Sequence, residues 1–320
     1  MKIKTIRAVL KKKFEEWTNS IEDKELRINV KNNSIITGGC IASMLLQEPV
    51  NDFDIYFTNM DTAYKVAKYY TDLFVAINRT KLNERNLPTT VNIIPVTITN
   101  KTTGLQEEQG LKIMIKSVGM WSESVGKNYQ YFEQTDPDSM DTNAFIETAT
   151  GILKEDDKTD KPKYRPVFVS SNAITLSDKI QLVTRFCGPP EAIHKNFDFI
   201  HCTNYWTSED NKLTLNQAAL ESLLTRTLHY VGSRYPLTSI IRTRKFVKKG
   251  FAVNAGQYLK MCFQVAALDL NDINVLEDQL TGVDFAYFYM LIQGLKEQKE
   301  KDSNFVYNYE YIVSIVDKLF

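Results

Sequence analysis

The chain has 320 residues, of which 43% are hydrophobic and 24% charged, as in an ordinary globular protein. Its 39 Lys and Arg balance its 39 Asp and Glu, and a formal net charge of zero argues against a strongly basic nucleic-acid-binding protein. No apolar run approaches the roughly 20 residues that a membrane span needs, and the N-terminus has no signal-peptide pattern. We therefore expect a cytoplasmic protein that makes no contact with a membrane and contains one large domain or two modest ones.

The cysteines and histidines show no spacing that is typical of a metal site. No two of the four cysteines form a CxxC pair, and none is spaced with a histidine as in a structural zinc site. We therefore expect reduced, buried thiols at Cys40, Cys187, Cys202 and Cys262.

The first third of the chain is predicted to alternate helices with short strands, because its apolar residues recur first at helical spacing and then in short runs. The predicted elements are an N-terminal helix over 3–18, a strand over 34–37, a helix over 41–46, a strand over 52–57 and a helix over 61–79. Asn59 or Asp61 is expected to cap the start of the last helix.

The middle of the chain is predicted to be rich in strands, and its end to be helical. The predicted strands cover 91–99, 111–115, 167–169, 173–176, 179–186 and 197–202, with a short helix over 191–196. The later helices are predicted over 213–230, 238–249, 255–268, 273–279, 284–299 and 307–319.

These elements predict an α+β protein in three parts. An N-terminal helical segment, 1–33, precedes a mixed sheet-and-helix domain, 34–205, whose polar stretch near 134–165 is expected to be an exposed insertion. The polar sequence between 205 and 212 marks the boundary to an all-helical domain, 212–320.

The most informative pattern is a strand that ends in Gly38-Gly39, followed by a second strand that carries Asp52 and Asp54. Two glycines before a helix expose backbone N–H groups that suit a triphosphate. The period of two in a strand places the two carboxylates on one face, where they repel each other unless a cation lies between them. Magnesium is suited to that position because it binds carboxylates together with substrate phosphates. The alternative is a plain turn with solvated aspartates.

This pattern resembles the nucleotidyltransferase superfamily, which has a DNA polymerase β-like fold. The phrase from Gly38 to Leu46, with Asp52-Phe53-Asp54-Ile55, is most similar to the branch of CCA-adding enzymes and poly(A) polymerases. The chain has Ala42-Ser43 where that branch usually has Arg-Asp. Residues 172–202 also look like uncharacterised nucleotidyltransferase-like proteins of phages and large viruses, and the whole resemblance covers about 34–205.

The resemblance implies a metal-dependent transfer of a nucleoside monophosphate from an NTP, such as ATP, to an acceptor hydroxyl, with release of pyrophosphate. It implies a third carboxylate on a later strand, and the best match is Asp198 in Phe197-Asp198-Phe199. Two Mg²⁺ or Mn²⁺ ions would then be held by Asp52, Asp54 and Asp198, with Asp198 on the acceptor side. An edge-strand surface position is the alternative for Asp198. The competing carboxylates at 136, 138 and 141 lie in a polar loop, which is a poorer place for a metal ligand.

Phosphate contacts are expected from Gly38, Gly39 and Ser43, although Ser43 is equally suited to be an ordinary early-helix residue. Further along, Arg242 and Lys245 share one face of a predicted helix, and that face is suited to a triphosphate or a nucleic-acid backbone. The alternative is a solvated basic face near the end of the helix.

Three functions fit the pattern. The first is an active nucleotidyltransferase whose acceptor is an RNA 3′ end, a protein hydroxyl or a small molecule. The second is an inactive protein of the same fold that serves in binding or in assembly of a phage particle. The third is a toxin or defence-related enzyme that modifies tRNA or a host protein, and a phage origin would place it in the cytoplasm of the infected bacterium. The sequence leaves the oligomeric state open.

Overall fold

The computed structural model describes residues 1–84, 89–99, 106–115, 120–122 and 162–270, with a few positions between 272 and 279. These residues fall into two compact units, and the division lies between Thr225 and Arg226. The strands of the first unit continue through 205–214, which is the stretch where the sequence analysis places a domain boundary.

A mixed sheet forms the centre of the first unit, which confirms the predicted α+β class for this part of the chain. Its described strands are β1 (Ser34–Thr37), β2 (Phe53–Phe57), β3 (Val91–Thr99), β4 (Gln106–Ile115), β5 (Met120–Ser122), β6 (Pro166–Ser170), β7 (Ala173–Leu176), β8 (Ile180–Cys187), β9 (Tyr205–Thr207) and β10 (Lys212–Thr214). The order across the sheet is β10-β9-β1-β2-β8-β7-β6-β5, and β4 pairs with both β3 and β8. Among the described pairs, β2 with β8 is parallel and the others are antiparallel.

Helices flank this sheet in the first unit, and further helices belong to the second unit. In the first unit they are α1 (Ile3–Asn19), α2 (Lys24–Asn32), α3 (Gly39–Leu46), α4 (Met60–Glu84), α5 (Pro190–His194), α6 (Gln217–Thr225) and a 3-10 turn over Ile200–Cys202. The second unit contains α7 (Pro236–Lys248) and α8 (Ala255–Ala266). Side-chain caps begin three of them: Asp23 accepts from the backbone N–H groups of Glu25 and Leu26, Asn59 from that of Thr62, and Asn216 from that of Ala218.

One face of the sheet forms the main core. Ile36, Ile55, Leu182 and Ile174 lie side by side on adjacent strands and are fully buried. Helices α1 and α4 cover this face, because the apolar residues of each recur at helical spacing and form one stripe. Burial of each such large side chain contributes about 1.5–3 kcal/mol to folding.

The opposite face is apolar along part of its length and polar at one end. Ile35, Tyr56 and Val183 form a small buried cluster with Ile193 of α5. Two residues further along the same face, the register aligns the polar side chains of Thr37, Asp54, Gln181 and Thr175. We call these four residues the polar row.

The predicted strand over 197–202 is wrong. Asp198 lies in a bend, and the residues after Phe199 form the 3-10 turn. The physical reason is that β1 already has β2 on one edge and β9 on the other, so no strand edge is open to this segment there. Its carbonyl groups are used instead by the end of β1, since Cys202 accepts a hydrogen bond from the backbone N–H of Gly38.

The predicted helix over 213–230 is wrong at both ends. It begins only at Gln217, because Lys212–Thr214 pairs with β9, and it ends at Thr225, because Arg226 has a left-handed φ of 50°. The predicted helices over 238–249 and 255–268 are confirmed by α7 and α8.

Some of the other predictions concern residues that the structure does not describe, and others can be compared with it. The helices predicted over 284–299 and 307–319, and the proposed insertion up to 161, lie outside the described residues. All four cysteines are free thiols. Their predicted burial is confirmed for Cys40 and Cys187, whereas Cys202 is half-buried, and the prediction is wrong for Cys262, which is exposed. No helix in the described part of the chain has the length and apolar character that a bilayer crossing requires.

Candidate functional site

The turn between β1 and α3 brings a glycine against a carboxylate. Gly38 has a φ of 91°, in the left-handed region that favours glycine, and its N–H donates to the carbonyl of Cys202 at 3.1 Å. A Cβ atom added to Gly38 would lie 2.8 Å from Oδ2 of Asp54. The pairing of Thr37 with Asp54 causes this proximity, because it holds the carboxylate beside the turn.

Gly39 begins α3 and lies beside open space. A Cβ atom added there would meet no other atom within 4 Å, and its φ is not in the left-handed region. The backbone N–H groups in the first turn of a helix have no partner within the helix, and they attract anions. The fold therefore does not itself require glycine at position 39, whereas a phosphate that approaches the backbone closely would.

The fold holds the two aspartates with different firmness. Asp54 lies within β2 and is half-buried, whereas Asp52 precedes the strand and is exposed. Between them, Phe53 is buried in the main core and its N–H donates to the carbonyl of Lys179 at 2.8 Å, which fixes the backbone. Burial, and then the charges of Asp54 and Asp52, raise the pKa of the Cys40 thiol well above its ordinary value. The negative field of both carboxylates therefore reaches the first turn of α3.

Gln181 lies at the same corner and is a candidate site residue that the sequence pattern did not indicate. It lies directly opposite Asp54 in the parallel pairing of β2 with β8, and only 8% of it is exposed. Its Oε1 atom has no hydrogen-bond partner among the described residues. The available signal was a single amide between the apolar residues Ile180 and Leu182 at the start of a strand, since a polar group in such a position normally needs a partner.

His194 is fixed against the same corner through Thr37. The hydroxyl of Thr37 faces the carbonyls of Asn204 at 2.9 Å and Cys202 at 3.3 Å, so its hydrogen is donated to one of them. Its oxygen therefore accepts from Nε2 of His194 at 2.8 Å, which makes the histidine the Nε2–H tautomer. Burial disfavours the imidazolium and lowers the pKa of His194 to about 4, although Glu191 acts in the opposite direction.

A dependence of stability on pH follows from His194. In the unfolded chain the imidazole takes up a proton near pH 6.5, whereas in the folded chain it stays neutral down to about pH 4. Acidification across this window therefore favours unfolding and removes up to roughly 3 kcal/mol of stability. His194→Gln, which keeps an N–H donor for Thr37, is expected to flatten this part of the profile in urea unfolding at a series of pH values. His229→Gln, at an exposed position, serves as the control, and an H194Q profile as steep as that of the wild type would contradict the assignment.

The segment that carries Asp198 crosses the same end of the sheet. His194 and Cys202, on either side of it, both contact the Thr37–Gly38 corner, and Phe197 packs on Tyr56 with ring centroids 5.9 Å apart. Asp198 itself is half-buried. Within the described ranges, no three or more His, Cys, Asp and Glu side chains form a group that could hold a metal ion. The structure thus brings the segment to the site without joining Asp198 to the two aspartates in a three-carboxylate group.

The remaining expected site residues lie in two places. Ser43 is 6% exposed within α3, and its carbonyl accepts from the N–H of Glu48 at 2.8 Å. Because Ser43 lies a turn beyond the start of the helix, only its hydroxyl is available to a ligand. Arg242 and Lys245 lie on α7 of the second unit, where Lys245 is exposed and Arg242 half-buried. Their role toward a triphosphate or a nucleic acid stays a prediction.

Comparison with known proteins finds one matching family model and a similar protein from a phage. A family model described as "Gabija anti-defense 2 family protein" matches residues 8–226. A protein of Bacillus phage SPbetaL7, "Gabija anti-defense 2", is 23% identical over 128 residues, which are 39% of this chain and 31% of that protein. The match thus spans about a third of the curated relative.

Solved structures similar to the chain include CCA-adding enzymes. The enzyme of Bacillus stearothermophilus in complex with CTP is 14% identical, with a TM-score of 0.36 over 87% of this chain and 51% of that one. The enzyme of Thermotoga maritima with tRNA is 10% identical, with a TM-score of 0.33 over 92% of this chain and 57% of that one. At these identities and scores the likeness carries no conclusion about activity.

Proposed function

The chain belongs to the Gabija anti-defense 2 family, and from this premise we propose that it is a metal-dependent nucleotidyltransferase that acts against a bacterial defence during phage infection. In this proposal it moves a nucleoside monophosphate from an NTP to an acceptor hydroxyl and releases pyrophosphate. The observation that carries the proposal is the contact of the Asp54 carboxylate with the Gly38 turn at the start of α3, with open space beside Gly39.

The donor set at this corner fits a hard divalent cation. Asp54 and Asp52 supply carboxylate oxygens, and the unpartnered Oε1 of Gln181 lies on the neighbouring strand. Carboxylate and carbonyl oxygens are the ligands that Mg²⁺ and Mn²⁺ prefer. A bound cation would neutralise charge on the phosphates and lower the pKa of the attacking hydroxyl.

The chain's own groups would bind and orient the nucleotide. The N–H groups in the first turn of α3 attract the phosphates, and the open space beside Gly39 lets the phosphates approach the backbone there. The N–H of Gly38 is already bonded to the carbonyl of Cys202. Asp54 is fixed by β2, so its carboxylate needs little rearrangement when the nucleotide binds, which is what an efficient site requires. His194, neutral at pH 7 and bonded to Thr37, holds the segment before Asp198 against this corner.

The anti-defence role comes from the family and not from the site. The name of the phage relative says that it acts against Gabija, and we propose that the acceptor hydroxyl belongs to a component of that defence, either protein or RNA. The modification would add a nucleotide and its negative charge to that component.

The direct test is label transfer by the full chain. We would incubate it with each α-labelled NTP, with Mg²⁺ or Mn²⁺, and with separate pools of RNA, DNA and protein from cells that carry the defence. Label in one pool from the α-labelled but not the γ-labelled nucleotide establishes nucleotidyl transfer and the acceptor class. No transfer to any pool, together with no binding of Mg²⁺–NTP in a titration, would refute the proposal.

A non-catalytic binding role is the second candidate. The absence of a three-carboxylate group among the described residues favours it, because a nucleotidyltransferase of this kind is expected to have one. In that case the protein would bind a nucleotide or a defence component without turnover. If the protein binds Mg²⁺–NTP but transfers no label to cellular RNA or protein, a binding role is favoured over nucleotidyltransferase activity.

The variant Gly39→Ala tests whether the Gly38-Gly39 turn binds a nucleotide or is a plain turn. Because a Cβ atom meets nothing at this position, the variant is expected to fold with wild-type stability. If phosphates approach the backbone there, the added methyl group obstructs them, and we expect NTP affinity to fall about tenfold, or roughly 1.4 kcal/mol. Calorimetric titration with a non-hydrolysable NTP measures this, and Gly256→Ala on α8, also in open space, is the control. Unchanged NTP affinity in G39A would place the phosphates elsewhere.

A further inference from the structure

We infer that Gln181 is the third oxygen ligand of the cation site, in the place where a third carboxylate was expected. This inference rests on the proposed function, since it concerns the same corner of the sheet. It assigns a role to the Oε1 atom of a buried amide, which has no hydrogen-bond partner among the described residues.

Position is the first argument. Gln181 and Asp54 are register partners on adjacent parallel strands, so their side chains leave the same face of the sheet from neighbouring points. Asp54 in turn lies beside the Gly38 turn. An ion held by Asp54 on this face is therefore within reach of the long glutamine side chain.

The second argument is that the side-chain oxygen of Gln181 has no hydrogen-bond donor among the described residues. Thr37 uses its hydroxyl fully, because it donates to a backbone carbonyl and accepts from His194. Gln181 is more than nine-tenths buried, yet its Oε1 atom accepts nothing from any described residue. A buried acceptor without a donor is costly, and a bound cation would satisfy it.

The third argument is charge. Two aspartates and a neutral amide carry two negative charges, which one divalent ion balances, whereas three carboxylates carry three. The described residues contain no group of three acidic or other metal-binding side chains, which agrees with a site completed by an amide. We therefore expect one ion to bind to the nucleotide-free protein and any second ion to arrive with the triphosphate.

The experiment is a titration of the full chain with Mn²⁺ alone, in which the signal of free Mn²⁺ is followed by electron paramagnetic resonance. Gln181→Met removes the oxygen but keeps the length of the side chain, and we expect it to weaken Mn²⁺ binding at least about tenfold. Gln181→Glu supplies a charged oxygen and is expected to tighten binding. Thr175→Val, at the neighbour of Gln181 on the other side, is the matched control and should bind as the wild type does.

Two further variants separate this inference from the proposed function. If Asp54→Asn abolishes Mn²⁺ binding while Q181M and Q181E both bind as the wild type does, the role of Gln181 is refuted and the metal site stands. If Asp198→Asn weakens binding and Q181M does not, the third ligand is Asp198 and the inference is again overturned. A wild-type protein that binds no Mn²⁺, alone or with NTP, refutes the proposed metal dependence itself. Thermal denaturation of each variant establishes that it is folded.

Discussion

Asp54→Asn is expected to lower the rate of nucleotide transfer by about 10³-fold, equivalent to roughly 4 kcal/mol of lost stabilisation of the transition state. The carboxylate lies in β2, half-buried and against the Gly38 turn, where it can hold a cation beside the phosphates. Asparagine has the same shape as aspartate, so the fold is expected to persist. Its single amide oxygen is neutral and therefore binds the ion more weakly than the carboxylate does. The rate is measured with the α-labelled NTP and the acceptor found by label transfer.

Asp52→Asn is expected to cause a smaller loss than Asp54→Asn, because Asp52 precedes the strand and is exposed. An exposed carboxylate is held less firmly and is screened by water, so it contributes less to a preorganised site. Asp61→Asn is the matched control, since this exposed carboxylate on α4 pairs only on the surface with Lys65. Full activity in both D52N and D54N would refute the metal assignment, and a loss in D61N as large as that in D54N would show that the effect is not specific to the site.

Gly110→Ala is expected to be the most destabilising single change among the glycines of the described chain. A Cβ atom at this position would lie 1.7 Å from the carbonyl oxygen of Arg185 on β8, and backbone cannot rotate away as a side chain can. Strand β4 must therefore move off β8 and lose the pairing of Gln109 with Cys187. We expect a loss of about 3 kcal/mol, at the upper end of the usual range for overpacking.

Thermal denaturation of the full chain measures this effect, and a loss of that size corresponds to a fall in Tm of roughly 6–12 °C. Gly256→Ala is the control, because the same methyl group meets open space on α8 and removes a flexible residue from a helix. It is expected to raise stability by about 0.5–1 kcal/mol. A G110A protein as stable as the wild type would show that β4 does not cross β8 as closely as the structure has it.

The local elements of the site were predictable from the sequence because their causes lie close together along the chain. A β-branched run that ends in two glycines, then a helix, then a short apolar strand that begins beside two aspartates is specified within about twenty residues, and β1, α3 and β2 follow that pattern, although Asp52 lies just before β2. The caps are local in the same way, as Asn59 at the start of α4 shows. The error over 197–202 arose because an apolar run alone does not reveal whether a sheet edge is available.

What the sequence by itself determined is therefore the Gly-Gly turn, the pair of aspartates beside it and the alternation of helices with strands. Only the tertiary structure decided which distant residues complete the corner. Thr37 and His194 are bonded although they are 157 residues apart, and Gln181 lies opposite Asp54 through a parallel pairing. The physical reason is that strand order and register depend on which apolar faces pack together across the whole unit, and a local pattern of residues does not contain that information.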